Sequence, residues 1–244
     1  MESAQAAEDL GAMDSMIVTI DGPAGAGKSS LARRLAAKLG FAFLDTGALY
    51  RCVTLAALES AYDWSDSAAL GVLAEQLPMR WDGQRIYIDQ RDVSEAIRAP
   101  EVTRHIRYVA DSIPARLALT RRQQQLAEGR DLVTEGRDQG TEVFPLAECK
   151  IFLTASPEER ARRRQMQLRD AGVEVAFADL LSDQIRRDEE DSSRAIGRLR
   201  AAPDATVLMT DGMSEDDVLE ELVRIVRRCQ ALRDQRRPQA MRGA

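Results

Sequence analysis

Histidine occurs once in these 244 residues, as His105, and cysteine three times, as Cys52, Cys149 and Cys229. A single imidazole rules out a His-based metal cluster and reads as an ordinary helix residue. Thiols this far apart, with no C-x-x-C pair, give neither a disulfide framework nor a zinc site. Aromatic residues make up 5% of the chain, with no stripe of the kind that stacks nucleic-acid bases. No apolar run approaches the ~18 residues a membrane span requires. The first fifteen residues are acidic and alanine-rich, without the basic and apolar regions of a signal peptide. A net charge of −6 speaks against a general nucleic-acid surface. These absences lead to an expectation of a cytoplasmic protein with no membrane or nucleic-acid partner. No long apolar face is left over, which fits a monomer.

Hydrophobic residues make up 44% of the chain, enough for a buried core built mainly on Leu, Ala, Val and Ile. The length suits one α/β domain with a modest insertion. Short apolar, β-branched runs stand at Met16 to Asp21, Phe41 to Asp45, Asp131 to Asp138, Cys149 to Ala155 and Ala205 to Asp211. Each is followed by a turn and then, sooner or later, by a helical pattern. That alternation predicts a five-stranded, mainly parallel sheet with helices on both faces, and ligands at its carboxyl edge. Residues 66–112 differ in character. A DG turn within Met79 to Asp89 predicts a β-hairpin, with short helices near Val93 to Arg98 and Glu101 to Asp111. We take this stretch as an inserted α+β module, 157–198 as a helical lid region and 16–234 as one domain. Residues 1–15 and 235–244 read as disordered tails.

Gly22-Pro23-Ala24-Gly25-Ala26-Gly27-Lys28-Ser29 fills the pattern G-x-x-x-x-G-K-[ST] between a strand and a helix, the setting that gives the motif its meaning. Glycines let backbone N–H groups approach phosphate oxygens, and the helix N-terminus adds attraction. Lys28 is expected at the β- and γ-phosphates, and the Ser29 hydroxyl at Mg²⁺. A triphosphate site alone also fits a hydrolase, a motor or a switch. A kinase needs a second site that holds an acceptor in line. Candidates close the next strands: Asp45-Thr46-Gly47 with Tyr50 and Arg51, and Gly136-Arg137-Asp138. Each offers an Arg for a phosphate and an Asp for a hydroxyl or a base amine. Arg160, Arg163 and Arg164, then Arg187, Asp188, Asp191 and Arg194, suggest an arginine-bearing lid that excludes water. A plain Arg187–Asp191 ion pair on a solvated helix is the bland alternative.

Taken together, IDGPAGAGKSS, LDTGALYR, DVSEAIR, EGRDQGTEVFP, KIFLTASPEERARRR and RRDEEDSSR resemble the bacterial cytidylate kinases, in family order from about Ile17 to Arg228. The resemblance implies a P-loop kinase fold with an inserted NMP-binding module and a lid. It implies transfer of the γ-phosphoryl of ATP, with Mg²⁺, to CMP or dCMP. It carries the ATP site over to Gly22 through Ser30, and the acceptor site to Thr46, Arg51, Arg116, Arg137, Asp138, Arg187, Asp191 and Arg194. Lys28, Arg137 and Arg187 are the expected catalytic set. Three positions depart from the family pattern. Arg107 replaces a serine that helps recognise the base in some members, which leaves UMP open as an acceptor. Ser30 stands where threonine is common, and Gln139 where an apolar residue is usual. Glu135, ending an apolar strand, either reaches Mg²⁺ through water or caps a turn.

Overall fold

The computed structural model describes residues 15–83 and 85–236. Most of the two expected tails lies outside the described residues. The last described helix continues through Arg236, across the first residues of the expected second tail.

The apolar runs form the strands β1 (Ile17–Asp21), β2 (Ala42–Asp45), β6 (Leu132–Gly136), β7 (Cys149–Thr154) and β8 (Thr206–Met209). They pair in parallel in the order β2-β6-β1-β7-β8. The central β1 reads as a continuous β-branched run because it is covered on both faces, with Val18, Thr19 and Ile20 fully buried. Helices α1 (Lys28–Leu39) and α8 (Glu215–Arg236) cover one face. There Leu31, Leu35, Val218, Leu222 and Val226 close over Val18, Ile20, Ile151 and Leu153. Helices α2 (Thr46–Glu59) and α5 (Ile113–Ala127) cover the other, packing Leu49, Val53 and Leu119 with Leu44, Leu132 and Val143.

The inserted stretch contains the expected hairpin, β3 (Met79–Trp81) and β4 (Ile86–Ile88). A short third strand, β5 (Arg91–Asp92), was not anticipated. A 3₁₀ turn at Ala96–Arg98 and helix α4 (Pro100–Asp111) follow as expected. Residues 67–76, to which the sequence pattern assigned no element, form helix α3 (Ser67–Gln76), whose N-cap Asp66 accepts from the Ala69 N–H. Ile86, Ile88, Val93, Ile97, Val102 and Val109 belong to the same hydrophobic cluster as the α2 and α5 side chains. The insertion therefore shares a core with the sheet's helices. Its hairpin is also pinned by the Trp81 indole N–H, which donates to the Phe43 carbonyl at 3.0 Å. Helices α6 (Pro157–Asp170) and α7 (Phe177–Ser193) form the expected pair after β7.

Candidate active site

The strand order brings three chain segments to one edge. Asp21 lies beside Gly136, and Asp45 beside Glu135, in the register of the sheet. The loop after β1 opens into a cleft of about 1450 Å³, lined at this end by Ala24 through Ser30. Gly22 and Pro23 sit behind the cleft wall. Helix α1 starts after Gly27 with no side-chain cap, so its first-turn N–H groups stay available to an anion. Lys28 is buried and its Nζ donates to the Pro23 carbonyl at 2.7 Å. Burial and then the Arg137 guanidinium push the Lys28 ammonium down to about 7, against the pull of Glu135, Asp21 and Asp191.

The Ser29 hydroxyl donates to Glu135 Oε1 at 2.8 Å. The Glu135 carboxylate therefore faces Ser29 beside the phosphate loop. A serine hydroxyl and a carboxylate are hard oxygen donors of the kind Mg²⁺ takes. Among the described residues no group of three or more His, Cys, Asp or Glu forms a metal cage. The donor set thus fits an ion that arrives with a nucleotide.

The opposite end of the cleft is built from α2, α4, α5 and the turn after β6. Arg51 lines it and is steadied by the Ile97 carbonyl at 3.1 Å and the Thr103 hydroxyl at 2.9 Å. Thr46 is buried, with its hydroxyl donating to the Glu135 carbonyl at 2.6 Å. Arg98 also reaches in, 3.4 Å from Asp45. That pairing joins two segments 53 residues apart, and no local spacing announces it. Arg116 and Asp138 form a buried ion pair, with side chains 6% and 9% exposed. Arg116 also donates to the Ala110 carbonyl at 3.0 Å and lies over the Tyr50 ring. The guanidinium packs so closely on Gly197, at φ +70°, that a Cβ there would collide with it.

From this floor an ion-pair chain climbs to α7 and the loop after it. Arg137 Nε donates to Asp191 at 2.7 Å, Asp191 accepts from Arg194 at 2.7 Å, and Arg194 reaches Asp111 of α4 at 2.8 Å. Burial works to raise the Asp191 carboxyl, but Arg137 and Arg194 outweigh it and hold it below the ordinary value. The simple Arg187–Asp191 pair does not form. Arg187 is exposed on the cleft wall and makes no ion pair among the described residues.

Two of the arginines assigned to the lid have other work. Arg160 is 2% exposed; its guanidinium holds the Ala24 carbonyl at 2.9 Å, Gln184 at 3.3 Å and both Asp188 oxygens. Arg163 bonds Glu159 at 3.0 Å and the Thr210 carbonyl at 2.7 Å. Both are struts, Arg160 buried against the phosphate loop and Arg163 half-buried against the end of β8. All three line the cleft, and Arg164 is the exposed member.

The cytidylate kinase family profile matches residues 18–228. A cytidylate kinase from Rhodopirellula baltica is 58% identical over 214 residues, covering 88% of this chain and 93% of that protein. A bifunctional pantoate ligase/cytidylate kinase from Prochlorococcus marinus is 45% identical over 217 residues, which are 86% of this chain and 42% of that protein. Among solved structures, a gluconokinase from Sinorhizobium meliloti aligns with 91% of this chain and 98% of its own, at 16% identity and a TM-score of 0.47. With the profile spanning nearly all of the sheet and both ends of the cleft, the chain belongs to the cytidylate kinase family.

Proposed function

We propose that the chain transfers the γ-phosphoryl of ATP to the phosphate of CMP or dCMP, giving ADP and CDP or dCDP. One observation carries this reading: a phosphate loop with uncapped helix N–H groups faces, across a single cleft, a buried Arg116–Asp138 pair flanked by Arg51 and Arg137. A hydrolase has no use for the second end.

In this mechanism the amides from Gly25 to Lys28 and the Lys28 ammonium hold the β- and γ-phosphates. Ser29 and Glu135 would hold Mg²⁺, which would supply charge neutralisation there. Arg51 and Arg137 grip the acceptor phosphate. Asp138 accepts from the cytosine 4-amino group, as carboxylates do from that donor, while Arg116 donates to the ring carbonyl or N3. Asp191 and Arg194 serve the ribose and the phosphates. The acceptor phosphate is already an anionic nucleophile, so positioning and charge stabilisation suffice without a strong base. Arg187, which makes no ion pair among the described residues and lines the cleft, meets the transferring group. Residues 66–112 act as the NMP-binding module and 157–198 as the lid. The chain is taken to act as a monomer, and its three free thiols suit a reducing cytoplasm.

The test is ADP release from ATP and Mg²⁺ with CMP, dCMP, UMP, AMP, GMP or no acceptor. Turnover that requires CMP or dCMP supports the reading. Turnover led by UMP would shift the base assignment toward Arg107, which also lines the cleft. Turnover without an acceptor would sink the kinase reading.

A further inference from the structure

The turn that carries Arg137 and Asp138 is held from behind by groups outside the cleft. A single π-helical turn, Gln139–Val143, follows Asp138, closed by the Phe144 N–H donating to the Gln139 carbonyl at 2.7 Å. Such turns are rare and are found mostly at functional sites. Asp21, the last residue of β1, is 4% exposed. Its two oxygens accept from the Gln139 N–H at 2.8 Å and the Gly140 N–H at 2.7 Å. Strand and turn are thereby locked together at the root of the phosphate loop.

The Gln139 side chain is 1% exposed and is held at both ends. Its Oε1 accepts from the Thr134 hydroxyl at 2.9 Å, and its Nε2 donates to Gln123 Oε1 at 3.0 Å. Gln123 Nε2 in turn donates to the Leu119 carbonyl at 3.0 Å, within α5. Helix α5 also carries Arg116, so one element positions both partners of the Arg116–Asp138 pair. The amide packs so closely under the strand end that a Cβ at Gly136 would lie 2.8 Å from Gln139 Cγ. An apolar residue at 139 would fill the space, but it would leave Gln123 and Thr134 buried with polar atoms unpaired.

Resting on the function proposed above, we propose that Gln139 is a positioning residue for the acceptor site: held by Asp21, Thr134 and Gln123, it sets where Arg137 and Asp138 meet the nucleoside monophosphate without touching it. The phosphate loop itself is held by other bonds. Loss of the network is therefore expected to fall on the acceptor and to spare ATP.

The test is a double-mutant cycle of Gln139→Met, Gln123→Met and the pair, read by KM and kcat for CMP and for ATP alongside Tm. Thr134→Val, nearly isosteric, is a milder fourth variant in case a glutamine substitution fails to fold. One buried hydrogen bond and its orphaned partner correspond to roughly a five- to tenfold effect. Each glutamine single is expected to raise KM for CMP by about that factor, with KM for ATP within about twofold. Thr134→Val should shift KM for CMP the same way by less. The Gln139→Met/Gln123→Met pair, which removes both ends of one hydrogen bond, should recover part of the loss. A fall in Tm with KM for CMP unchanged would make the network a structural brace only and overturn the proposal. A parallel rise in both KM values would overturn it too. Absence of CMP turnover in the unsubstituted protein would be a different result, sinking the function reading and this proposal with it.

Discussion

Arg187 and Asp21 are opposite cases of a charged residue, one free on the cleft wall and one sealed beneath it. If Arg187 meets the transferring phosphoryl, its contact exists mainly in the transition state. Arg187→Ala should then lower kcat by about 10²-fold, the scale for removing one preorganised donor, with a smaller rise in KM; a change in KM alone would remove it from that role. Asp21 is tied to pH instead. Burial pushes its carboxyl from 3.8 up to about 7, against the pull of the Gly140 and Gln139 N–H groups. The folded state therefore holds the proton more tightly than the unfolded chain does. That contribution to stability is complete below the unfolded value and is lost as pH rises through about 7. Relative to Asp21→Asn, the unsubstituted protein should lose stability between about pH 4 and 7 and then level off. Denaturant midpoints that keep a constant gap would show that Asp21 titrates normally. Nothing in the run IVTID distinguished this aspartate from a strand-ending residue. Its partners lie 118 and 119 residues away, and a long-range clamp leaves no local spacing.

At the level of the elements, α6 and α7 show how far spacing can carry a reading. Their existence and their arginines were legible, because helical periodicity and a Pro at the start of α6 are local signals. Which arginines are buried as struts and which stay exposed in the cleft was not legible, since that depends on how the helix rolls onto its neighbours. Arg160 and Arg164 lie on one helix yet have opposite surroundings. Arg160→Met removes the partner of Asp188 and frees the Ala24 carbonyl; it should cost roughly 3 kcal/mol, the lower end for breaking a buried pair, because Asp188 is 24% exposed. Arg164→Met should leave stability within about 0.5 kcal/mol, as surface changes do, while weakening ATP or CMP binding. Equilibrium unfolding of the two variants side by side decides the matter. Helix α3 escaped notice for another reason. SAALGVLAEQ is apolar on most sides, so it lacks the stripe that marks an amphipathic helix. The β1, β2 and β6 ends, by contrast, were readable because each closes on an aspartate or glycine where the phosphate loop and its neighbours begin.

Over the whole molecule, one cluster of side chains runs from the sheet's helices into the inserted module. A module without a core of its own is expected to unfold with the rest in a single transition. The two tryptophans, Trp64 and Trp81, lie just before and within the insertion, whereas far-UV circular dichroism reports every helix. The fluorescence and dichroism curves in denaturant should therefore coincide, and a fluorescence transition at lower denaturant would show that the module melts separately. The overall architecture was the most legible layer, since alternating strand and helix patterns leave few ways to wind a parallel sheet. The shared core was not legible, because a boundary drawn where the pattern changes does not say whether the hydrophobic contacts stop there.

The Lys28–Pro23 bond bears on how fast this site can be entered. The loop's own carbonyl serves as a placeholder for a phosphate oxygen, so the ammonium has already shed its water during folding. If Lys28 takes the phosphate as proposed, an arriving nucleotide has only to displace a tethered neutral oxygen, with no hydration shell to strip from the lysine. The loop is closed on itself like a latch held by a spare key, and nucleotide entry becomes an exchange of partners.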